Sequence, residues 1–172
     1  KKILKNLSFK LTQNQEEIIN EINVDLRSDK KMFRILQGDV GSGKTIVSFM
    51  TSANVLETGY QSALMAPTAI LAKQHYNLSK KIFDGTKIKI KLLTGKTEPK
   101  LRKKILEDLK SGEIDFLIGT HALFQKKIEF KKLGFIIIDE QHKFGVKQRM
   151  SFAEKGGKNC DVLLMSATPI PR

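Results

Sequence analysis

The chain has 172 residues, 40% of them hydrophobic and 28% charged. That length supports a single domain with a filled core, and that composition excludes a disordered chain. Thirty-one Lys+Arg against 18 Asp+Glu give a formal net charge of +13, which suits polyanionic partners such as nucleic acid. Only five of the basic residues are arginine, so a lysine-coated, solvated surface accounts for the same charge. The lysines cluster at Lys87/Lys89/Lys91, Lys100/Arg102/Lys103/Lys104 and Lys126/Lys127/Lys131/Lys132. No apolar run reaches the roughly 18 residues of a membrane span.

Thr12 can cap a helix over residues 12–27, where Ile18, Ile19, Ile22 and Leu26 recur at helical spacing. Phe33–Leu36 reads as a short strand that runs into a glycine-rich turn. A helix follows from Lys44 to about Glu57, stopped by Gly59. Ala63–Ala66 is the next strand, ended by Pro67, and a helix covers about Ile70–Ile82, stopped near Gly85. Lys87–Leu93 alternates lysine with apolar residues and predicts an edge or half-exposed strand. Residues 99–110 form a lysine-rich amphipathic helix with Leu101, Ile105, Leu106 and Leu109 on one side. Phe116–Ile118, Phe135–Ile138 and Val162–Met165 are strands of the fully buried kind. Strand and helix alternate nearly throughout. The pattern predicts an α/β, three-layer domain with a mostly parallel sheet flanked by helices, with ligands at the carboxyl ends of the strands.

The single cysteine, Cys160, excludes an internal disulfide and a cysteine-based zinc site. His75, His121 and His142 show no metal-ligand spacing. A reducing, intracellular compartment is the simplest reading of that usage.

Gly38-Asp39-Val40-Gly41-Ser42-Gly43-Lys44-Thr45 matches the phosphate-loop pattern in full, between a strand and a helix. Glycines let the backbone N–H groups turn inward around a phosphate, and the helix N-terminus adds positive potential. Lys44 would neutralise the β- and γ-phosphates, and the Thr45 hydroxyl would ligate Mg²⁺. Further on, the strand Phe135–Ile138 ends in Asp139-Glu140-Gln141-His142. Asp139 at that position would hold Mg²⁺, and Glu140 would orient and deprotonate the attacking water. The Asp-Glu pair favours an ATPase over a GTPase. His142 beside it is either a surface histidine or a residue that senses nucleotide state.

Together these motifs resemble the RecG family of superfamily-two helicases. The resemblance also rests on Phe9 through Gln15, Met65 through His75, Leu93-Thr94-Gly95, Gly119 through Leu123, Asp139 through Val146 and Ser166 through Arg172. It implies a RecA-like fold, ATP and Mg²⁺ as cofactors, and DNA as partner. It implies that Gln15 reads adenine, with Phe9 near the base, and that residues 1–33 form the adenine-motif segment of a domain covering 1–172. It also implies that Pro67, Thr68, Thr94, Gly95, Gly119, Thr120 and His121 contact the DNA backbone. Ser166 and Thr168, with His142, would link hydrolysis to DNA movement.

Two positions depart from the family: Ala69 stands where Glu is usual, and Lys143 where Arg is usual. The resemblance implies an enzyme that remodels branched DNA in recombination and repair, cytoplasmic and nucleoid-associated in a bacterium. The second RecA-like lobe and the wedge domain expected of such an enzyme have no counterpart in this sequence, so the chain alone is expected to hydrolyse ATP poorly. A transcription-repair coupling translocase shares much of the pattern. A nucleotide-gated DNA-binding module without unwinding is a further alternative.

Overall fold

Thr12 starts the described structure as expected. Its Oγ1 accepts from the Gln15 N–H at 3.0 Å, and Gln15 Oε1 accepts from the Thr12 N–H at 2.9 Å. This reciprocal capping box satisfies two donors at the helix N-terminus. The computed structural model describes residues 11–27, 33–37, 43–120, 128–139 and 160–166. In chain order the elements are α1 (Gln13–Arg27), β1 (Phe33–Gln37), α2 (Lys44–Glu57), β2 (Gln61–Met65) and α3 (Ala69–Ile82). They continue with β3 (Ile90–Leu93), α4 (Pro99–Ser111), β4 (Phe116–Gly119), β5 (Leu133–Asp139) and β6 (Asp161–Ser166).

The described strands form one six-stranded sheet, ordered β1-β6-β5-β2-β4-β3, with every neighbouring pair parallel. Successive side chains on a strand face opposite sides, and the two cores follow that parity. Leu64, Phe116, Ile118, Phe135, Ile137, Leu163 and Met165 share one core with Ile19 and Ile22 of α1, Ile46 and Phe49 of α2, and Ala72 and Ile82 of α3. Ala63, Met65, Leu117, Ile136, Ile138, Val162 and Leu164 share the other with Ile105 and Leu109 of α4. The expected three-layer α/β domain is therefore present. Phe49, Phe83 and Phe116 meet edge-on at centroid separations of 5.9–6.2 Å and pin α2 and α3 to the sheet. Each such pair contributes about 1 kcal/mol beyond its buried area.

Several details differ from the sequence reading, among them β5, which begins at Leu133 and not at Phe135. The edge strand β3 starts at Ile90 and not at Lys87. Its lead-in is held by Asp115, whose carboxylate accepts from the Lys89 N–H at 2.8 Å, while Lys89 O accepts from Asp115 N and Phe116 N. β2 begins two residues early because Gln61 is buried and satisfied. Its Nε2 donates to Leu109 O at 3.0 Å and Ile114 O at 2.7 Å, and its Oε1 accepts from Lys132 N at 2.8 Å. Leu101, expected on the apolar side of α4, is 48% exposed. It lies in the helix's first turn, ahead of the buried Ile105 and Leu109. Among the described residues, no helix is long and apolar enough to cross a membrane.

Candidate active site

The parallel sheet brings the carboxyl ends of all its described strands to one rim. Register defines the order along it. Gln37 of β1 pairs with Ser166 of β6, Met165 of β6 with Asp139 of β5, Ile138 of β5 with Met65 of β2, and Gly119 of β4 with both Met65 and Leu93 of β3. Asp139 and the phosphate-loop strand are thus separated by one strand, roughly 10 Å at the usual spacing. Ser166 ends the strand between them and is fully buried.

Gly43 opens α2 with φ +86°, a left-handed conformation that glycine adopts without steric cost. A Cβ at Gly43 would collide with Gln15 Nε2. The capping box on α1 thus turns the Gln15 amide against the last glycine of the loop, with Lys44 and Thr45 in the first turn of α2 beyond it. This juxtaposition joins the candidate adenine-reading residue to the candidate phosphate-binding segment. Gly38, Asp39, Val40, Gly41 and Ser42 lie outside the described residues, as do Phe9, His121, Glu140, His142 and Thr168.

Asp139 ends β5 on the side of the sheet that α1, α2 and α3 cover, as the parity of Phe135 and Ile137 requires. Its Oδ2 lies 2.7 Å from His75 Nε2 on α3. Both side chains are almost fully enclosed, at 12% and 11% exposure. Nothing in the sequence assigned His75 a role, and no local signal could have done so, because the two residues are 64 positions apart.

The other half of the rim collects the strand-end segments singled out for DNA contact. Ala66 N donates to Gly119 O at 2.8 Å, and Thr120 N donates to Leu93 O at 3.3 Å. Pro67-Thr68, Gly119-Thr120 and Thr94-Gly95 therefore follow neighbouring strands. Their hydroxyls also have local work. Thr68 Oγ1 caps α3 by accepting from Leu71 N at 3.2 Å. Thr94 Oγ1 accepts from Lys96 N at 3.2 Å, and Thr97 Oγ1 accepts from Thr94 N at 3.0 Å. Ala69 is the first residue after the Thr68 cap, at the helix's positive end.

Several of the described lysines have local partners. Lys89 precedes β3 at the opposite end of the sheet and pairs with Glu113 at 3.1 Å. Lys104 pairs with Asp108 at 3.1 Å and Lys110 with Glu129 at 3.5 Å. Lys132 sits over the Tyr60 ring at 4.2 Å. Among the described residues, no group of three or more His, Cys, Asp or Glu could hold a metal ion. A site built from Asp139 with a hydroxyl and phosphate oxygens needs no such group.

A six-stranded parallel sheet, a phosphate-loop sequence motif after its first strand and an acidic strand end two places away define the class of α/β nucleotide-binding domains. The DEAD/DEAH box helicase family model matches residues 12–172, and the chain belongs to that family. Within it, RecG helicases are among the relatives of high identity. The chain is 52% identical to the ATP-dependent DNA helicase RecG of Aquifex aeolicus, over 100% of this chain and 22% of that protein. It is 52% identical to RecG of Thermotoga maritima, over 98% of this chain and 22% of the relative. The chain thus spans about a fifth of the length of these relatives. A solved structure of RecG bound to a three-way DNA junction superposes with a TM-score of 0.86 at 48% identity, covering 99% of this chain and 22% of that one. The helicase domain of Pyrococcus furiosus Hef shares the fold, at TM-score 0.69 and 23% identity.

Proposed function

We propose that this chain is the ATP-binding lobe of an ATP-dependent DNA helicase that remodels branched DNA, such as stalled forks and Holliday junctions. The observation that carries the reading is the rim itself. Ser166 and Asp139 end strands in one half, with Gln15 of α1 against Gly43 at the head of α2, and Pro67, Thr68, Gly119, Thr120, Thr94 and Gly95 stand at or just after strand ends in the other half of the same sheet. A rigid sheet that carries both sets lets a change at one half be felt at the other. Similarity over nearly all of this chain to RecG proteins, one of them solved on a DNA junction, supports branched DNA as the substrate.

In this reading Gln15 reads the adenine, while residues 38–43 wrap the phosphates with backbone N–H groups. Lys44 neutralises the β- and γ-phosphates. The donor set fits Mg²⁺: Thr45 offers a hydroxyl at the head of α2, and Asp139 a carboxylate at the rim. When bound, Mg²⁺ neutralises charge on the transferring phosphoryl group. Glu140 orients and deprotonates the attacking water. Small and hydroxyl-bearing residues at the ends of β2, β3 and β4 meet phosphates without reading bases. A second RecA-like lobe in a longer protein supplies the remaining catalytic contacts, and DNA binding closes the two together. His142, Ser166 and Thr168 transmit nucleotide state, and the protein works in the bacterial cytoplasm on the nucleoid.

The test is Glu140→Gln in the full-length protein. Loss of at least a hundredfold in ATP turnover, with nucleotide affinity kept within threefold, is expected. Turnover equal to the unaltered protein would refute the assignment.

A further inference from the structure

His75 takes a position on α3 that a core residue should hold. Ala72, His75, Ser79 and Ile82 are the buried residues of the helix, at spacings of three and four. Ala72 and Ile82 pack into the apolar core, and the Ser79 hydroxyl is satisfied by Tyr76 O at 2.7 Å. The imidazole is the outlier, since a buried polar ring needs a partner. The partner is Asp139 Oδ2 at 2.7 Å, on the neighbouring face of β5. A carboxylate only accepts, so Nε2 carries the hydrogen and donates.

We propose that His75 is a positioning residue for Asp139. The bond occupies Oδ2 and fixes the carboxylate's rotation, so Oδ1 is the oxygen presented to Mg²⁺ or its coordinated water. Histidine is suited to this because α3 is anchored on both sides of it: Thr68 caps its start, and Ile82 is buried at its end. The imidazole therefore transfers the rigidity of a packed helix to a strand-end side chain. Outer-sphere partners of this kind commonly change metal affinity by about 10–100-fold when removed. The inference rests on the proposed reading of Asp139 as the cation's carboxylate.

The test uses the full-length protein and reads binding, not turnover. Mg²⁺ is titrated against a fluorescent, non-hydrolysable ATP analogue, and the midpoint is compared among His75→Gln, His75→Asn and Asp139→Asn. Glutamine places its amide nitrogen near the position of Nε2, whereas asparagine stops short of it. The expected result is a Mg²⁺ midpoint raised about tenfold by His75→Asn and restored to within about threefold by His75→Gln, with metal-free nucleotide affinity unchanged in both. Equal midpoints for His75→Gln and His75→Asn, shifted or unshifted, overturn the proposal. A shift in Asp139→Asn with none in His75→Asn overturns the positioning role alone. An unshifted Asp139→Asn overturns the reading of Asp139 and the inference with it.

Discussion

Replacing Gly43 by alanine tests the contact that joins α1 to the phosphate loop. The backbone there is left-handed, at φ +86°, and a Cβ in that region costs about 1–2 kcal/mol. Gly59 supplies the matched control. It has φ +90°, and nothing lies within 4 Å of an added Cβ. Gly59→Ala should therefore cost about 1 kcal/mol, from backbone strain alone. At Gly43 the Cβ also displaces the Gln15 amide, which breaks the bond from Thr12 N to Oε1 and loosens the start of α1. A lost capping bond is worth about 1 kcal/mol, so Gly43→Ala should cost about 2–3 kcal/mol. In a Gln15→Ala background the collision is gone, and the cost of Gly43→Ala should fall to about 1 kcal/mol. Urea unfolding followed by circular dichroism gives all four corners of the cycle. Equal losses for Gly43→Ala and Gly59→Ala would contradict the reasoning, as would a Gly43→Ala cost unmoved by Gln15→Ala.

Other substitutions probe the rest of the framework. Phe49 is fully buried among aromatic edges, so Phe49→Ala should cost about 3–5 kcal/mol in the same unfolding assay. Gln61→Leu strands the Ile114 carbonyl and the Lys132 N–H that the amide now satisfies, while the Leu109 carbonyl keeps the Gly112 and Lys131 N–H groups. It should cost about 3 kcal/mol despite its similar volume and greater hydrophobicity, and a neutral result would mean those groups find other partners. The hydrogen bond to Asp108, and then its charge, hold the Lys104 ammonium above the ordinary lysine value of 10.5. The pair therefore favours folding below that value, and the contribution is lost as pH rises through the folded-state midpoint. Asp108→Asn should move the Lys104 titration down toward the ordinary value by NMR, and an unmoved midpoint would contradict the pairing.

Local signals made much of the molecule legible in the sequence. Thr12 as a cap, Gly59 and Gly85 with positive φ after α2 and α3, and apolar residues at helical spacing fixed the helices to within a residue or two. The buried strands declared themselves as short apolar runs. What was not legible depends on residues far apart in the chain. Gln61 and Ser62 stand ahead of the strand expected from Ala63, yet they lie inside β2 because Gln61 is satisfied by groups 48 to 71 positions away. Lys87–Lys89 kept the alternation of a strand, but Asp115 holds the lead-in to β3 instead of a ladder. The candidate site divides in the same way. Its motifs were visible as strings, and the strand order that sets Ser166 beside β1 and Asp139 one strand further on was not. Neither the Gln15 contact at Gly43 nor the His75 bond to Asp139 left a trace in local pattern, since both are made only by tertiary packing.

This lobe is proposed to serve a motor acting on branched DNA. The most direct measurement is steady-state ATP hydrolysis by the full-length protein with a three-way junction and with linear duplex of matched length and ends. Stimulation at least tenfold stronger by the junction is expected, falling steeply with added salt as phosphate contacts require. Equal stimulation by the linear duplex would contradict branched-DNA remodelling and point to a duplex translocase of the transcription-repair coupling kind.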